Sequence, residues 1–316
     1  MDALTGQPAT GRTHAVTGAF GFTGRAIAEA LLARGDRVVT LTHRRPAPDD
    51  PLAPHLAVAP LDFGRPADLG AALDRVDTLY NTYWIRFPRG RRTFERAVAD
   101  SAVLFAAARE AGVRRIVHIS VVGADPRGAT PYVRAKGTLE GMLRSSRVEW
   151  AIVRPTLTYG LGDILVNNIA WSLRHLPVFA MPGRGRYPIQ PVHVADVARI
   201  CLDAADGRPG GIADAAGPET LEYRELVGII RRAVAGRALV LPMPHAGVRF
   251  GAKVLGLMVR DVVLTGDEIR ELTSGLLTSK ERPRGTISFP EWVQANADAL
   301  GRRWSSELAR NFARRR

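Results

Sequence analysis

The sequence predicts an α/β fold in which a doubly wound parallel sheet is joined by a smaller, mostly helical domain. Short apolar stretches alternate with helical patterns through the first half of the chain, and a glycine-rich turn follows the first of them. Such alternation indicates parallel βαβ units with right-handed crossovers. With 316 residues, 46% of them hydrophobic, the chain is long enough for two domains.

The elements follow from local patterns. In residues 22–33, Ile27, Ala30 and Leu31 recur at helical spacing, and Arg34-Gly35 ends the helix. Further helices are predicted over 67–73, 93–111 and 131–144. Strands are predicted over 12–17, 38–41, 56–61, 76–80, 116–119 and 150–153.

The domain organisation changes after Pro155, where glycine and proline become frequent. We expect a disordered tail over 1–11, a sheet domain over 12–154 and a second domain over 155–191 and 216–316. A strand–helix pair around 192–204 is expected to return to the sheet, so that 192–215 belongs to the first domain. Apolar residues of the second domain would line a lipid- or polyketide-like pocket if they faced inward, although a core of the domain itself is the favoured interpretation: Leu255, Leu257, Met258 and Val259.

Composition narrows the class of protein. No apolar run reaches the roughly 18 residues that a membrane-spanning helix needs, and the polar N-terminus lacks a signal-peptide pattern. The single cysteine, Cys201, fits a reducing cytoplasm, where we expect the protein to reside. The net charge of +13 comes from arginines dispersed along the chain, without a nucleic-acid-binding motif, so we expect no nucleic-acid partner.

The glycine turn is Thr17-Gly18-Ala19-Phe20-Gly21-Phe22-Thr23-Gly24. Gly18 allows the sharp bend, Gly21 lets the backbone approach a pyrophosphate, and Gly24 lets the helix pack against the strand. The helix N-terminus then offers free N–H groups to phosphates. This turn, between a strand and a helix, predicts a dinucleotide-binding Rossmann domain with Phe20, Phe22 and Thr23 beside the cofactor.

The end of the second strand indicates which dinucleotide binds. It reads Thr42-His43-Arg44-Arg45, without the acid that commonly binds the ribose hydroxyls of NAD. Arginine can bind a 2′-phosphate, so a preference for NADP(H) is predicted, with NAD(H) left open. The alternative is that Arg44 and Arg45 are surface charges before a proline-rich loop.

Further cofactor contacts are predicted after the third and fourth strands. Asp62 can accept from the adenine amino group and Phe63 can pack beside the ring, although a loop carboxylate beside Gly64 is an open alternative. Asn81 and Thr82 end the fourth strand, near the expected path of the pyrophosphate and ribose.

A proton-transfer set is predicted at Tyr132-x-x-x-Lys136, with Ser120 shortly before it. Spacing i, i+4 places Tyr132 and Lys136 on one helix face, where an ammonium group lowers the pKa of a phenol. Lys136 can also reach the nicotinamide ribose, and the Ser120 hydroxyl can hold a substrate oxygen. An exposed helix pair is the alternative. The histidines show no metal-ligand spacing, and His118, within an apolar strand, is interpreted as a core residue.

Together these motifs resemble the short-chain dehydrogenase/reductase superfamily in its extended or atypical branch, with Arg154-Pro155-Thr156 and Val192-His193-Val194-Ala195-Asp196 adding to the match. The chain is similar to proteins of the NAD-dependent epimerase/dehydratase type and to an accessory subunit of respiratory complex I. The resemblance implies an acid–base role for Tyr132, support by Lys136, oxygen binding by Ser120 and a nicotinamide contact by Pro155 or Thr156.

The predicted function is an NADP(H)-dependent oxidoreductase that transfers a hydride to or from a small carbonyl or alcohol, with Tyr132 as the acid or base. Epimerase or dehydratase activity uses the same residues and stays open, as does NADP(H) sensing without turnover. The expected partner is a small-molecule substrate; no metal is expected, and a homodimer is left open.

Overall fold

The computed structural model describes residues 11–44 and 46–312. Arg45 and all of the predicted disordered tail except Gly11 lie outside the described residues. The chain divides into two compact units. Unit 1 consists of residues up to Pro155 together with Val194–Ala215, and unit 2 consists of Thr156–His193 and the residues from Ala216 onward. The sequence analysis placed the domain boundaries after residues 154, 191 and 215, and the two units change after residues 155, 193 and 215.

The elements are numbered along the chain. The strands are β1 Thr13–Thr17, β2 Arg37–Thr42, β3 Leu56–Pro60, β4 Thr78–Asn81, β5 Arg115–Ile119, β6 Glu149–Pro155, β7 Leu157–Tyr159, β8 Val178–Pro182, β9 Pro188–Ile189, β10 Pro191–His193, β11 Gly211–Ala215, β12 Leu221–Glu222 and β13 Leu239–Met243. The helices are α1 Phe22–Ala33, α2 Pro66–Ala72, α3 Phe94–Glu110, α4 Pro131–Arg144, α5 Leu165–His175, α6 Val194–Asp206, α7 Tyr223–Ala233, α8 His245–Val259, α9 Gly266–Thr273, α10 Phe289–Ala295 and α11 Glu307–Asn311, with a 3-10 turn at Ala53–His55.

Unit 1 is a seven-stranded sheet in the order β11-β6-β5-β4-β1-β2-β3, and its strand pairs are parallel. From β1 the chain adds β2 and β3 on one side and then returns to add β4 on the other side. Ligands bind at the carboxyl ends of the strands at such a switch point. The predicted fold class is confirmed. One core cluster joins β5 to helices α3 and α4 through Ile116, Leu104 and Leu139, each with no exposed surface.

Unit 2 has its own core, in which α5 and α7 contribute Leu173, Leu226 and Ile230. Its strands form three two-stranded sheets, β10–β7, β12–β9 and β13–β8. The sequence analysis anticipated a strand around Val192 but not the other short strands, because two- to five-residue strands carry too little periodicity to be distinguished from loops.

The predicted return to the sheet is corrected by the structure. The strand at Val192, β10, pairs with β7 in unit 2 and does not join the seven-stranded sheet. The returning elements are α6 and β11, whose register aligns Gly211 with Ala151 and Ala215 with Pro155. Strand β11 was missed because an edge strand reading Gly-Ile-Ala-Asp-Ala lacks an apolar run.

The interpretation of the apolar residues after Val254 as core is also wrong for two of them. Leu257 and Met258 are exposed, whereas Leu255 and Val259 are half-buried. Residues two positions apart on a helix point to different sides, so Leu255 and Leu257 differ in exposure. The outer face of α8 is therefore apolar.

Two negative findings concern the described residues. In residues 11–44 and 46–312, no helix is long and apolar enough to cross a membrane. Within the same ranges, no group of three or more His, Cys, Asp or Glu side chains could hold a metal ion.

Candidate functional site

The glycine turn connects β1 to α1 within unit 1. Gly18 has a φ of +68°, a conformation that favours glycine, and its N–H donates to the carbonyl oxygen of Leu41 at 2.8 Å. The N–H of Gly21 donates to Gly18 O at 2.8 Å. A Cβ atom on Gly24 would stand 2.3 Å from Gly18 O, so only glycine lets α1 start this close to the strand. The turn therefore has the shape that a pyrophosphate requires.

The N-terminus of α1 is suited to an anion. Its N-cap, Gly21, forms no side-chain cap, and no acidic residue lies in the first turn. The N–H groups at this end and the positive end of the helix dipole are therefore available to phosphate oxygens. Arg44 extends from the end of β2 to the same turn, where its Nη1 donates to the Phe20 carbonyl oxygen at 3.2 Å. A second positive charge thus lies beside the turn.

Aromatic rings follow the ends of three strands of the sheet, β2, β3 and β4. The Phe63 ring centroid lies 6.2 Å from that of His43 and 4.8 Å from that of Tyr83. Burial lowers the pKa of His43, which favours the neutral ring. The Oδ1 atom of Asp62 accepts from Gly64 N at 2.9 Å, as in the loop alternative. The adenine contacts of Asp62 and Phe63 stay predictions.

The end of β4 is tied to the glycine turn by hydrogen bonds. Thr17 Oγ1 accepts from the N–H groups of Thr82 at 2.7 Å and Tyr83 at 2.9 Å, and Thr82 Oγ1 donates to Thr17 O. Asn81 is fully buried, with its Oδ1 accepting from Thr17 Oγ1 and its Nδ2 lying 3.2 Å from His118 Nδ1. These bonds fix the path of the backbone from β4 toward Trp84.

The predicted Tyr–Lys pair lies in α4, one turn apart. Lys136 is buried, its Nζ donates to the Ile119 carbonyl oxygen at 2.9 Å, and it lies 4.3 Å from the centroid of the Trp84 ring. The Tyr132 ring packs edge-on against Trp84 and Phe94, with centroid distances of 5.9 Å to each. The segment after β4, the end of β5 and the first turns of α4 therefore meet around the Trp84 ring.

The charge of Lys136 is destabilised by its surroundings. Burial lowers the pKa of its ammonium group to about 7, although the carboxylate of Glu140 acts in the opposite direction. Glu140 is itself buried and accepts from Arg154 Nε at 2.8 Å. Lys136 therefore changes its charge near neutral pH, as is typical of functional lysines.

Ser120 follows β5, and its N–H donates to Val153 O at 2.8 Å. Its hydroxyl is buried and has no hydrogen-bond partner among the described residues. A buried polar group without a partner costs free energy, which a ligand oxygen would recover. The loop between Ser120 and Tyr132 packs closely against α4, because a Cβ atom on Gly137 would stand 2.3 Å from the Asp125 backbone.

The two residues predicted to contact nicotinamide lie in different units. Pro155 ends β6 in unit 1, where its carbonyl oxygen accepts from Val122 N at 3.1 Å. Thr156 begins unit 2, where its hydroxyl donates to the Gln190 carbonyl oxygen. Both contacts with the cofactor stay predictions.

The sequence analysis missed Trp84 and Phe94 as members of this site. Trp84 lies in the segment between β4 and α3, where the pattern favours neither a strand nor a helix, and Phe94 is the first residue of α3. The clustering of Tyr83 and Trp84 after a strand end was the available signal, since binding residues are often found on such loops.

The match to known proteins covers this region. Residues 18–167 match a protein-family model described as NAD(P)H-binding. This part of the chain is similar to NAD(P)H-binding domains. The predicted resemblance to the extended short-chain dehydrogenase/reductase branch is confirmed.

The relatives of this chain have diverse names. It is 25% identical over 292 residues to a mitochondrial NADH dehydrogenase [ubiquinone] 1 alpha subcomplex subunit 9 of Arabidopsis thaliana, covering 85% of this chain and 72% of that one. Its fold is similar to that of a Citrobacter triphenylmethane reductase, with a TM-score of 0.73 and 16% identity over 91% and 99% of the two chains. An NADPH-dependent quinone oxidoreductase of Escherichia coli gives a TM-score of 0.72 and 21% identity over 89% and 98%.

Proposed function

We propose that this protein is an NADP(H)-dependent oxidoreductase that interconverts a small carbonyl compound and its alcohol, with Tyr132 as the proton-transferring residue. The observation that carries the proposal is the continuous set of contacts from the glycine turn to α4. Thr17 binds the backbone after β4, and Trp84 then packs against both Tyr132 and Lys136.

The chemistry needs a hydride, which the nicotinamide cofactor supplies or accepts when bound. In the reducing direction the substrate carbon receives the hydride, and the Tyr132 hydroxyl donates its proton to the substrate oxygen. The Lys136 ammonium group stabilises the resulting phenolate. The Ser120 hydroxyl, which has no partner among residues 11–44 and 46–312, donates to the same oxygen as negative charge develops on it.

Selection of NADP(H) is assigned to Arg44. Its guanidinium group lies at the end of β2 and contacts Phe20 within the glycine turn. A planar guanidinium group can bind a 2′-phosphate with two hydrogen bonds, and the carboxylate that would bind a free ribose hydroxyl is absent from Thr42-His43-Arg44. The NADPH-dependent quinone oxidoreductase with a similar fold is consistent with this choice.

The decisive experiment is Tyr132→Phe, which removes the proton donor and keeps the ring that packs against Trp84 and Phe94. We expect turnover of NADPH with a panel of quinones, aldehydes and ketones to fall at least about a hundredfold. The Kd for NADPH, measured by calorimetry, should change by less than about twofold, because the phenol acts on the substrate.

Tyr80→Phe is the matched control. Tyr80 is fully buried in the same unit, and its hydroxyl has no hydrogen-bond partner among the described residues, so its loss should leave turnover unchanged. Equal turnover of Tyr132→Phe and wild type would refute the acid–base assignment. Wild type that binds NADPH but turns over no compound of the panel would refute the oxidoreductase proposal.

The second candidate function is NADP(H) binding without chemistry. One observation favours it: Lys136 Nζ is already bonded to the Ile119 carbonyl oxygen and covered by the Trp84 ring. One relative is named as a subunit of NADH dehydrogenase, a name that does not itself assign a separate activity. Under this alternative, Tyr132→Phe and wild type would have the same NADPH affinity, and neither would oxidise NADPH in the presence of the panel.

A further inference from the structure

Helix α8 in unit 2 presents large apolar side chains to solvent. Leu257 is 81% exposed, Phe250 70%, Met258 69% and Val254 43%, and Val248 is the buried residue of the helix. Their spacing of i, i+4, i+7 and i+8 places the four on one helix face. A stripe of this kind marks an interaction surface, because burying such side chains is favourable.

A row of cations runs beside this stripe. Arg249 and Lys253 lie in α8 and Arg260 caps it, at spacing i, i+4 and i+11, which places them on one flank of the helix. None of the three forms an ion pair with any described residue of the chain. The sequence from His245 to Arg260 contains no Asp or Glu. The outer surface of α8 is therefore apolar and basic, without acidic groups.

Space for an anionic group adjoins the row. Arg249 lines an open cavity of about 430 Å³ together with His245, Asp267 and Arg270. Asp267 accepts from Arg270 at 2.5 Å, whereas Arg249 has no ion-pair partner among the residues that the structure describes. A phosphate group entering the cavity would meet the Arg249 guanidinium group.

Charge distinguishes the occupants that this surface could bind. A second copy placed symmetrically on α8 would bring the same cations together, and like charges repel. An anionic lipid surface provides negative headgroups for the cations and acyl chains for the apolar stripe, which is the arrangement of interfacial amphipathic helices. We propose that α8 binds the surface of a membrane that contains anionic phospholipids. This inference does not depend on the oxidoreductase proposal.

The test is co-sedimentation with vesicles of phosphatidylcholine alone or with about 30% phosphatidylglycerol. We expect the full chain to bind the anionic vesicles and to bind the neutral ones at least about tenfold more weakly. Leu257→Glu/Met258→Glu should abolish binding, because charged groups resist insertion. Arg249→Glu/Lys253→Glu should weaken it at least about thirtyfold. These positions are exposed, and circular dichroism melting verifies that each variant is folded.

Arg208→Glu/Arg282→Glu is the control, since it makes the same change of charge at two exposed arginines elsewhere and should retain binding better than the α8 variant. Wild type that ignores anionic vesicles would overturn the proposal, and so would equal losses in the two charge-reversal variants. Light scattering provides a further criterion. A wild-type dimer that Leu257→Glu/Met258→Glu converts to a monomer would identify a second copy as the occupant instead.

Discussion

Lys136 illustrates how burial decides the chemistry of a single residue. The unfolded chain keeps this lysine protonated up to its ordinary pKa of about 10.4. In the folded chain burial lowers the pKa to about 7. Between these values the unfolded state binds more protons than the folded state, so the stability of the protein rises with pH over that window. Below it, the buried charge costs its full free energy.

This linkage predicts a measurable difference between wild type and Lys136→Met. From about pH 7 to about pH 9, the free energy of unfolding of wild type should rise by about 2 kcal/mol relative to that of the variant. Urea denaturation of the cofactor-free protein at each pH measures it. Lys253→Met, which replaces an exposed lysine, should follow wild type. Parallel pH profiles of wild type and Lys136→Met would show that Lys136 does not release its proton in the folded state.

Arg44 is the residue on which cofactor preference is predicted to depend. Arg44→Ala removes the guanidinium group beside Phe20. We expect the Kd for NADPH to increase about ten- to a hundredfold, because a charge-assisted pair with phosphate contributes about 1.5–3 kcal/mol. The Kd for NADH should change little, as should both values in Arg37→Ala, at the opposite end of β2. An equal loss of affinity for NADPH and NADH would indicate that Arg44 stabilises the glycine turn and does not bind the 2′-phosphate.

At the scale of elements, helix α4 contains two glycines that differ in their surroundings. The N-terminus of α4 is capped by Thr130, whose side chain accepts from Val133 N, and Pro131 occupies the first turn. Four residues apart along the helix, Gly137 faces the Asp125 backbone at a distance that excludes a Cβ atom, whereas Gly141 has no atom within 4 Å of the position of a Cβ. Helix α4 therefore contacts the preceding loop at Gly137.

The two glycines predict opposite effects of the same substitution. Gly141→Ala should stabilise the protein by about 0.5–1 kcal/mol, because alanine is the better helix former. Gly137→Ala should destabilise it by about 1–3 kcal/mol, because the helix must move away from the loop. Chemical denaturation measures both, and turnover should fall only in Gly137→Ala, in which Tyr132 and Lys136 are displaced. Similar stability of the two variants would contradict the packing.

For the whole molecule, the two units are expected to respond differently to the cofactor. The glycine turn and the end of β4 both lie in unit 1, whereas α8 lies in unit 2. Ligand binding to the native state stabilises it, by about 2.7 kcal/mol at a hundredfold excess over Kd. The backbone groups that bind phosphate should be those whose exchange with solvent slows most.

Hydrogen exchange followed by mass spectrometry tests this expectation. NADPH should slow exchange in peptides that contain residues 18–25 and 82–84 and should leave those from α8 unchanged. In Gly24→Ala, NADPH should protect residues 18–25 and 82–84 less than it does in wild type, because the added Cβ atom would collide with Gly18 O. Protection confined to unit 2 would place the cofactor elsewhere in the molecule.

Local patterns were sufficient for much of the fold. The predicted bounds of α1 and α4 coincide with those observed, and the strands β1 to β6 were each located to within a few residues. Helical spacing, caps and glycine turns act over three to eight neighbouring residues, so a short stretch of sequence contains them completely. The glycine turn and the Tyr–Lys spacing are of the same kind.

The tertiary structure alone decided which distant segments meet. It places β11 beside β6, Trp84 over Lys136 and the outer face of α8 in solvent, and it leaves the Ser120 hydroxyl without a hydrogen-bond partner in the described part of the chain. Each of these depends on residues that are far apart in the chain, or on the absence of neighbouring atoms over a side chain. A local pattern reports the periodicity of a segment but not its neighbours, and burial, pKa and exposed apolar surface are properties of those neighbours.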